Sequence, residues 1–304
     1  MDSWLWVYLT LMAATTQSVR TGGQKHLTAH LSPIAVTFVR FLFGLPFAIL
    51  YFLVIQNIYD KPLPPLSGTF LGFSAAMGLC QIAATALLIH LFSLRNFAMG
   101  TTYARTEAFL TAILGSLLFG ELLSLHGWLA IGISVAGVVL ITIARTGGAE
   151  GNFFKRLWNK SAAIGLGSGL GFALSSLLMR HASLSFGDSN FLFTAALTLV
   201  TVVSIQTVIL GGYLLMTERA QFGKIAAQWK PCAFVGVTSI IGSVGWFTAM
   251  TIQNASYVKA LGQIEVVFTL AISVLFFKER SSPSELAGMA LVALGIVYLL
   301  FVAR

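Results

Sequence analysis

The sequence predicts an all-α polytopic membrane protein, with ten transmembrane helices arranged as two inverted five-helix repeats. Three observations predict it: a shortage of charge, apolar runs of bilayer length, and polar residues that recur at a fixed offset. Of 304 residues, 57% are hydrophobic and only 9% are charged, and the mean hydropathy is +0.87. Soluble domains carry about 25% charged residues because their surfaces must face water. A chain this poor in charge is expected to give most of its surface to membrane lipid. The formal charge of +8 does not point to nucleic acid, which requires basic residues gathered on one face; here they are scattered between apolar runs, as loop charges of a membrane protein are.

Crossing roughly 30 Å of hydrocarbon takes about 20 helical residues. Ten apolar windows of that length are expected at residues 4–24, 33–55, 69–92, 97–119, 125–144, 161–182, 190–216, 231–252, 256–277 and 283–303. Helices follow from the solvent, because in lipid a lone helix satisfies its own backbone while an open strand cannot. Asp2 is the only charged residue ahead of the first window, so the basic start of a cleaved signal peptide is missing and this segment is expected to stay as a membrane helix.

Breakers fall between the windows. Asp60-Lys61-Pro62-Leu63-Pro64-Pro65 cannot continue a helix, and Pro33, Pro231 and Pro283 suit first turns, where a missing N–H is harmless. The longest polar stretch, Arg145 to Lys160, holds Gly147, Gly148 and Gly151 and reads as a linker. The expected organisation is a first five-helix repeat at 1–146, a linker at 147–160 and a second repeat at 161–304.

An offset of 158 residues pairs Asn96 with Asn254, Glu107 with Glu265, Thr111 with Thr269, Glu121 with Glu279, Ser124 with Ser282 and Gly137 with Gly295. Coincident acidic residues in apolar helices point to an internal duplication. Five spans per half is an odd number, so the second half enters the membrane from the opposite side, the plan of many secondary transporters. Eleven Lys and Arg residues, from Lys25 to Arg280, fall in loops on one side, against Lys61, Arg180 and Arg304 on the other. The positive-inside bias taken alone puts both termini outside.

Ionisable groups within spans are expensive to insert and each calls for an explanation. Glu107 and Glu265 are the deepest, at matching positions of the fourth and ninth windows. They read as substrate ligands or proton carriers at the repeat interface, or as a buried structural pair. Arg40, Arg105, Lys259 and Gln263 form a second group, in which Arg105 matches Gln263 and Thr101 matches Lys259 at the repeat offset. Glu107 lies two residues beyond Arg105, about 200° around one helix, which predicts an acidic face and a basic face. A cavity with both charges suits a zwitterionic or anionic metabolite such as an amino acid. Arg40 and Lys259 also have stems long enough to carry their charges to the headgroups. Tyr103, Gln81, Trp246 and Tyr257 are candidates to line the pocket, or to pack or mark the interface.

The glycines at 165, 167, 169 and 171 lack the preceding strand of a phosphate loop and read as a close helix contact. Cys80 and Cys232 have no metal or disulfide spacing. Of the five histidines, only His26 and His30 have i, i+4 spacing, with no acidic partner between them, so no metal site, cofactor or catalytic set is expected.

The duplicated runs from Glu107 to Glu121 and from Glu265 to Glu279 each end in an apolar stretch closed by glutamate, and Arg40-Phe41 follows soon after Ser32-Pro33. In these features the chain resembles the drug/metabolite transporter superfamily, in its EamA-type branch. The resemblance covers both halves. It implies a multi-pass transporter of the inner or plasma membrane, monomeric or homodimeric, with spans 1 to 4 and 6 to 9 around a central cavity and spans 5 and 10 at the periphery. It also implies movement of small organic solutes, often outward, with amino acids frequent cargo and protons the candidate coupling ion, and both termini in the cytoplasm. Members often carry proline where this chain has Glu107 or Ala108, so the kink that proline makes is not expected from sequence here. The alternatives are a membrane enzyme with His26, His30 and an acidic group converging, or a scaffold or sensor with no central polar cavity.

Overall fold

A computed structural model describes residues 4–93, 104–145, 160–187, 190–268 and 282–302. Every regular element among them is helical: α1 (Leu5–Leu27), α2 (Pro33–Leu42), α3 (Leu45–Tyr59), α4 (Gly68–Ser93), α5 (Glu107–Leu118), α6 (Leu125–Arg145), α7 (Lys160–Leu184), α8 (Phe191–Thr217), α9 (Ala220–Ala227), α10 (Trp229–Ile252), α11 (Ala255–Gly262) and α12 (Pro283–Phe301). The expected linker lies almost wholly outside the described residues, as do Asn96, Thr101, Tyr103, Thr269 and Glu279. Six stretches are long and apolar enough to cross a membrane: Pro33–Tyr59, Gly68–Leu91, Ala163–Leu184, Phe191–Thr217, Trp229–Ile252 and Pro283–Phe301, with α5 and α6 as shorter apolar helices. The first predicted window, α1, is not among the six. Its polar residues account for this, and Arg20 and Gln24 among them turn inward and are buried.

Caps and breakers act where the sequence placed them. Ser32 accepts from the Ala35 N–H ahead of Pro33, and Ser282 forms a full capping box with Glu285 ahead of Pro283. The Ser124 hydroxyl accepts from the Gly127 N–H just as the Ser282 hydroxyl accepts from that of Glu285, so two residues matched at the repeat offset do the same job.

Three of the predicted windows are not continuous helices. The second bends at Phe43 and Gly44 between α2 and α3, because Pro46 offers no N–H to the Leu42 carbonyl one turn back. The fourth has a turn at Arg105 and Thr106, and the ninth has one at Gln263, after which helix resumes at 264. Positions 105 and 263 are repeat equivalents, so both halves interrupt this span at one place without proline. Residues 217–230, expected as loop, contain the short helix α9.

Two faces of the bundle can be read from contacts. The Trp4 and Phe301 rings meet at 5.9 Å and His126 Nδ1 lies 2.6 Å from the Tyr298 hydroxyl. The start of α1, the start of α6 and the end of α12 thus share a face, as an even number of crossings requires. On the other face, the Ser32 N–H donates to Gln221 of α9 at 3.3 Å.

The most extensive helix pairs are α6 with α12, α4 with α7, and α1 with α10; α8 packs on α2 and α3, and α5 on α11. Each joins one half of the chain to the other. Exchanging the halves turns α4·α7 into α10·α1 and leaves the remaining pairs unchanged, so the contact pattern maps onto itself. Glycines permit the closest of these approaches. A methyl on Gly137 would lie 2.6 Å from the Gly288 carbonyl, one on Gly295 would lie 2.9 Å from that of Ala130, and one on Gly171 would lie 2.9 Å from Ala84 Cβ. Ala130 is the repeat equivalent of position 288, so the first two contacts are copies of each other. The outer faces carry exposed Leu50, Ile58, Val208, Met216, Leu294 and Phe301, an aggregation hazard in water and the right surface in lipid.

Candidate functional site

The polar side chains that lipid excludes converge between the halves. Gln17 and Arg20, one turn apart on α1, line a small cavity together with Arg40 of α2, Gln81 of α4, Trp246 of α10 and Lys259 of α11. The bend after α2 holds Arg40 in place: a methyl on Gly44 would lie 2.8 Å from the Arg40 carbonyl and 2.9 Å from Ile240 of α10, so the bend is pressed against α10. Arg40 is buried and donates to the Thr85 hydroxyl at 3.1 Å. The Gly78 carbonyl can only accept, which makes the Gln206 amide a donor to it at 3.3 Å and to the Gln81 oxygen at 2.8 Å. Gln81 therefore keeps its amino group for another acceptor. Met77, Met179 and Met250 supply an apolar, deformable part of the wall.

Two ion pairs cross between the matching spans of the two halves. Arg105 holds both oxygens of Glu265, at 2.7 and 2.9 Å, the bidentate geometry that a guanidinium favours. Glu265 also accepts from Gln17 at 3.0 Å, and the Trp246 N–H donates to Gln17 at 3.1 Å, so the pair is tied to the cavity wall. Lys259 Nζ stands 3.3 Å from Glu107 and over the Trp246 ring at 5.0 Å, a cation–π arrangement. Gln263 donates to the Arg105 carbonyl at 3.0 Å, so each helix interruption touches the other.

Several expectations change here. Arg105 and Glu107 do not face opposite ways. The 100° step per residue does not carry through the turn at 105–106, and both side chains reach the ninth span. Lys259 and Arg40 do not snorkel; they are 8% and 5% exposed. Neither glutamate is free to receive a substrate amine, since each is already paired. Tyr257 leaves the cavity and packs on α6, where a methyl on Gly127 would lie 2.6 Å from its hydroxyl. Lys259, Arg40, Gln81 and Trp246 line the cavity, Glu265 and Glu107 stand behind it on Gln17 and Lys259, Arg105 and Gln263 lie beyond them, and Tyr103 lies outside the described residues.

Arg20 and Gln17 are functional candidates that sequence reasoning missed. An arginine near the end of an apolar run reads as a headgroup anchor. The signal that could have found it is the run of polar residues Gln17, Arg20 and Gln24 along one side of α1. Arg180, counted as a loop charge, is instead half-buried. It stands 3.5 Å from Glu121 and donates to the carbonyls of Met250 and Gln253 at 2.5 Å. Glu121 in turn accepts from the Ala255 N–H at 3.1 Å and the Ser256 hydroxyl at 2.8 Å, capping α11.

A lipid-surfaced helical bundle whose charges gather in a cavity between interlocked halves is an integral membrane protein. The chain belongs to the EamA-like transporter family, whose model matches residues 4–143 and again 159–301. It is therefore a multi-pass membrane transporter of the drug/metabolite type. Among 28 matching chains of solved structures, one crystal structure of a protein shares the fold at a TM-score of 0.68 and 16% identity, over 99% of this chain and 97% of the other. Comparison with curated proteins gives no match.

Proposed function

We propose that the protein is a secondary transporter that moves a small polar organic metabolite, the class that includes amino acids, outward across the membrane by alternating access. One observation carries it: a cavity lined by the buried side chains of Arg20, Arg40 and Lys259 lies between the halves. Beside it, two ion pairs join the fourth and ninth spans. Charged groups at this depth are retained where a substrate or coupling ion needs them. Binding of cargo at Arg40 and Lys259 competes with the contacts of those residues, and re-pairing of Arg105–Glu265 and Lys259–Glu107 as the halves rock couples occupancy to exposure. Glu107 and Glu265 are the groups able to take a coupling proton, each in exchange for its ion pair.

The test is counterflow in proteoliposomes, screened across labelled amino acids and organic acids, for the wild type, Glu107→Gln and Glu265→Gln. Saturable exchange by the wild type that falls at least tenfold in both variants is expected. Full activity in both variants removes the glutamates from the mechanism, and an absence of exchange for every solute removes transport by this route.

A further inference from the structure

Four cations and two carboxylates belong to the cavity and its ion pairs: Arg20, Arg40, Arg105 and Lys259 against Glu107 and Glu265. Glu265 takes Arg105 through both oxygens, and Glu107 takes Lys259. Arg20 and Arg40 remain, each 5% exposed, and neither is paired with a carboxylate among the described residues. Arg40 has the Thr85 hydroxyl. Arg20 makes no hydrogen bond among the described residues, and its Nε is buried without a partner. The two guanidiniums are within electrostatic reach of each other, and although Arg20 also feels Glu265 and Glu107, those carboxylates are already paired with Arg105 and Lys259, so the cavity keeps an excess of positive charge. A buried charge with no counter-charge is strongly unfavourable, and a ligand that supplies the counter-charge recovers that energy on binding.

We infer that the cargo, given transport through this cavity as proposed above, is a small organic dianion whose two negative charges lie against Arg20 and Arg40. The remaining wall fits the rest of such a molecule. Gln81 offers its amino group to an oxygen, since its own oxygen is engaged by Gln206. Met77, Met179, Met250 and Phe247 present soft apolar surface to a carbon skeleton. An ammonium group finds no seat. Both nearby carboxylates are occupied, and Lys259 already stands over the faces of Trp246 and Phe172, at 5.0 and 5.9 Å. A dicarboxylate and a phosphate monoester share this chemistry, and both match the planar, forked donors of arginine.

The experiment uses the full-length protein, in detergent for thermal-shift titration and in proteoliposomes for counterflow. The probes are succinate, glycerol 3-phosphate, alanine and the diamine putrescine. One or both dianions are expected to raise the melting temperature saturably and to exchange, which also tells dicarboxylate from phosphate, while alanine and putrescine do neither. Arg20→Gln and Arg40→Gln are each expected to weaken dianion binding about tenfold or more. Arg20→Lys and Arg40→Lys, which keep the charge and lose the fork, should retain part of it and serve where a glutamine variant fails gel filtration. Saturable binding of alanine or putrescine with both dianions silent overturns the inference, as does silence of all four probes or wild-type dianion affinity in the glutamine variants. Dianion binding without counterflow supports the cargo class and removes the transport proposal. Counterflow of alanine alone keeps transport and overturns the cargo class.

Discussion

Glu265→Gln removes one negative charge from a contact in which the carboxylate is 3% exposed and accepts from Arg105 at 2.7 and 2.9 Å. Deleting one member of a buried pair costs about 3–5 kcal/mol, because the other charge is left unpaired. The lower end, about 3 kcal/mol, is expected here. The Arg105 side chain keeps 26% of its exposure and can be hydrated, and the glutamine oxygen still accepts one hydrogen bond. Arg20 also loses the field of Glu265, which adds to the cost of Glu265→Gln. The assay is equilibrium unfolding in mixed micelles of the wild type, each single variant and the double variant. With both charges gone no ion is stranded between the spans, so the double variant should be more stable than the sum of the singles by about 1–3 kcal/mol. Additive singles, or a Glu265→Gln protein that unfolds like the wild type, would refute the idea that this pair ties the halves together.

Three further outcomes follow from packing and capping. Glu121→Ala strips the carboxylate from the start of α11 and leaves Arg180 without its ion pair; a loss of about 2 kcal/mol is expected by unfolding in detergent. Gly137→Ala drives a methyl to 2.6 Å from the Gly288 carbonyl, backbone that cannot rotate away, and should destabilise by about 1–3 kcal/mol. Gly132→Ala on the same helix meets nothing within 4 Å and should melt at or slightly above the wild-type temperature.

Much of the fold was legible because a bilayer imposes simple demands on sequence. The apolar windows appear as helices in what the structure describes of them, apart from the interruptions at residues 43–44, 105–106 and 263, since a backbone in lipid has no other way to satisfy its hydrogen bonds. Ser124 and Ser282, matched by offset alone, became equivalent caps. The bends were less legible. Pro46 lies inside an apolar run and marks the bend after α2, yet the turns at Arg105 and Gln263 carry no proline, and only the contact between the two spans reveals them. The candidate site was legible in its residue types and not in its pairing. Arg40, Lys259, Gln81 and Trp246 do reach the cavity, while Tyr257 is drawn to the periphery by the space that Gly127 leaves. Helical angles could not show that Arg105 and Glu107 reach the same neighbour.

What the sequence determined by itself is the solvent and the repeat. Its hydropathy requires a lipid-exposed surface, and its duplicated glutamates require two related halves, because both properties are sums over local residues. The tertiary structure alone decided which charge meets which. Arg105 finds Glu265 and Lys259 finds Glu107 across some 150 residues of chain, while Arg20 and Arg40 line the cavity with no carboxylate paired to them among the described residues. Coulomb attraction depends on distance in space, and a distance across the bundle is set only when the halves interlock.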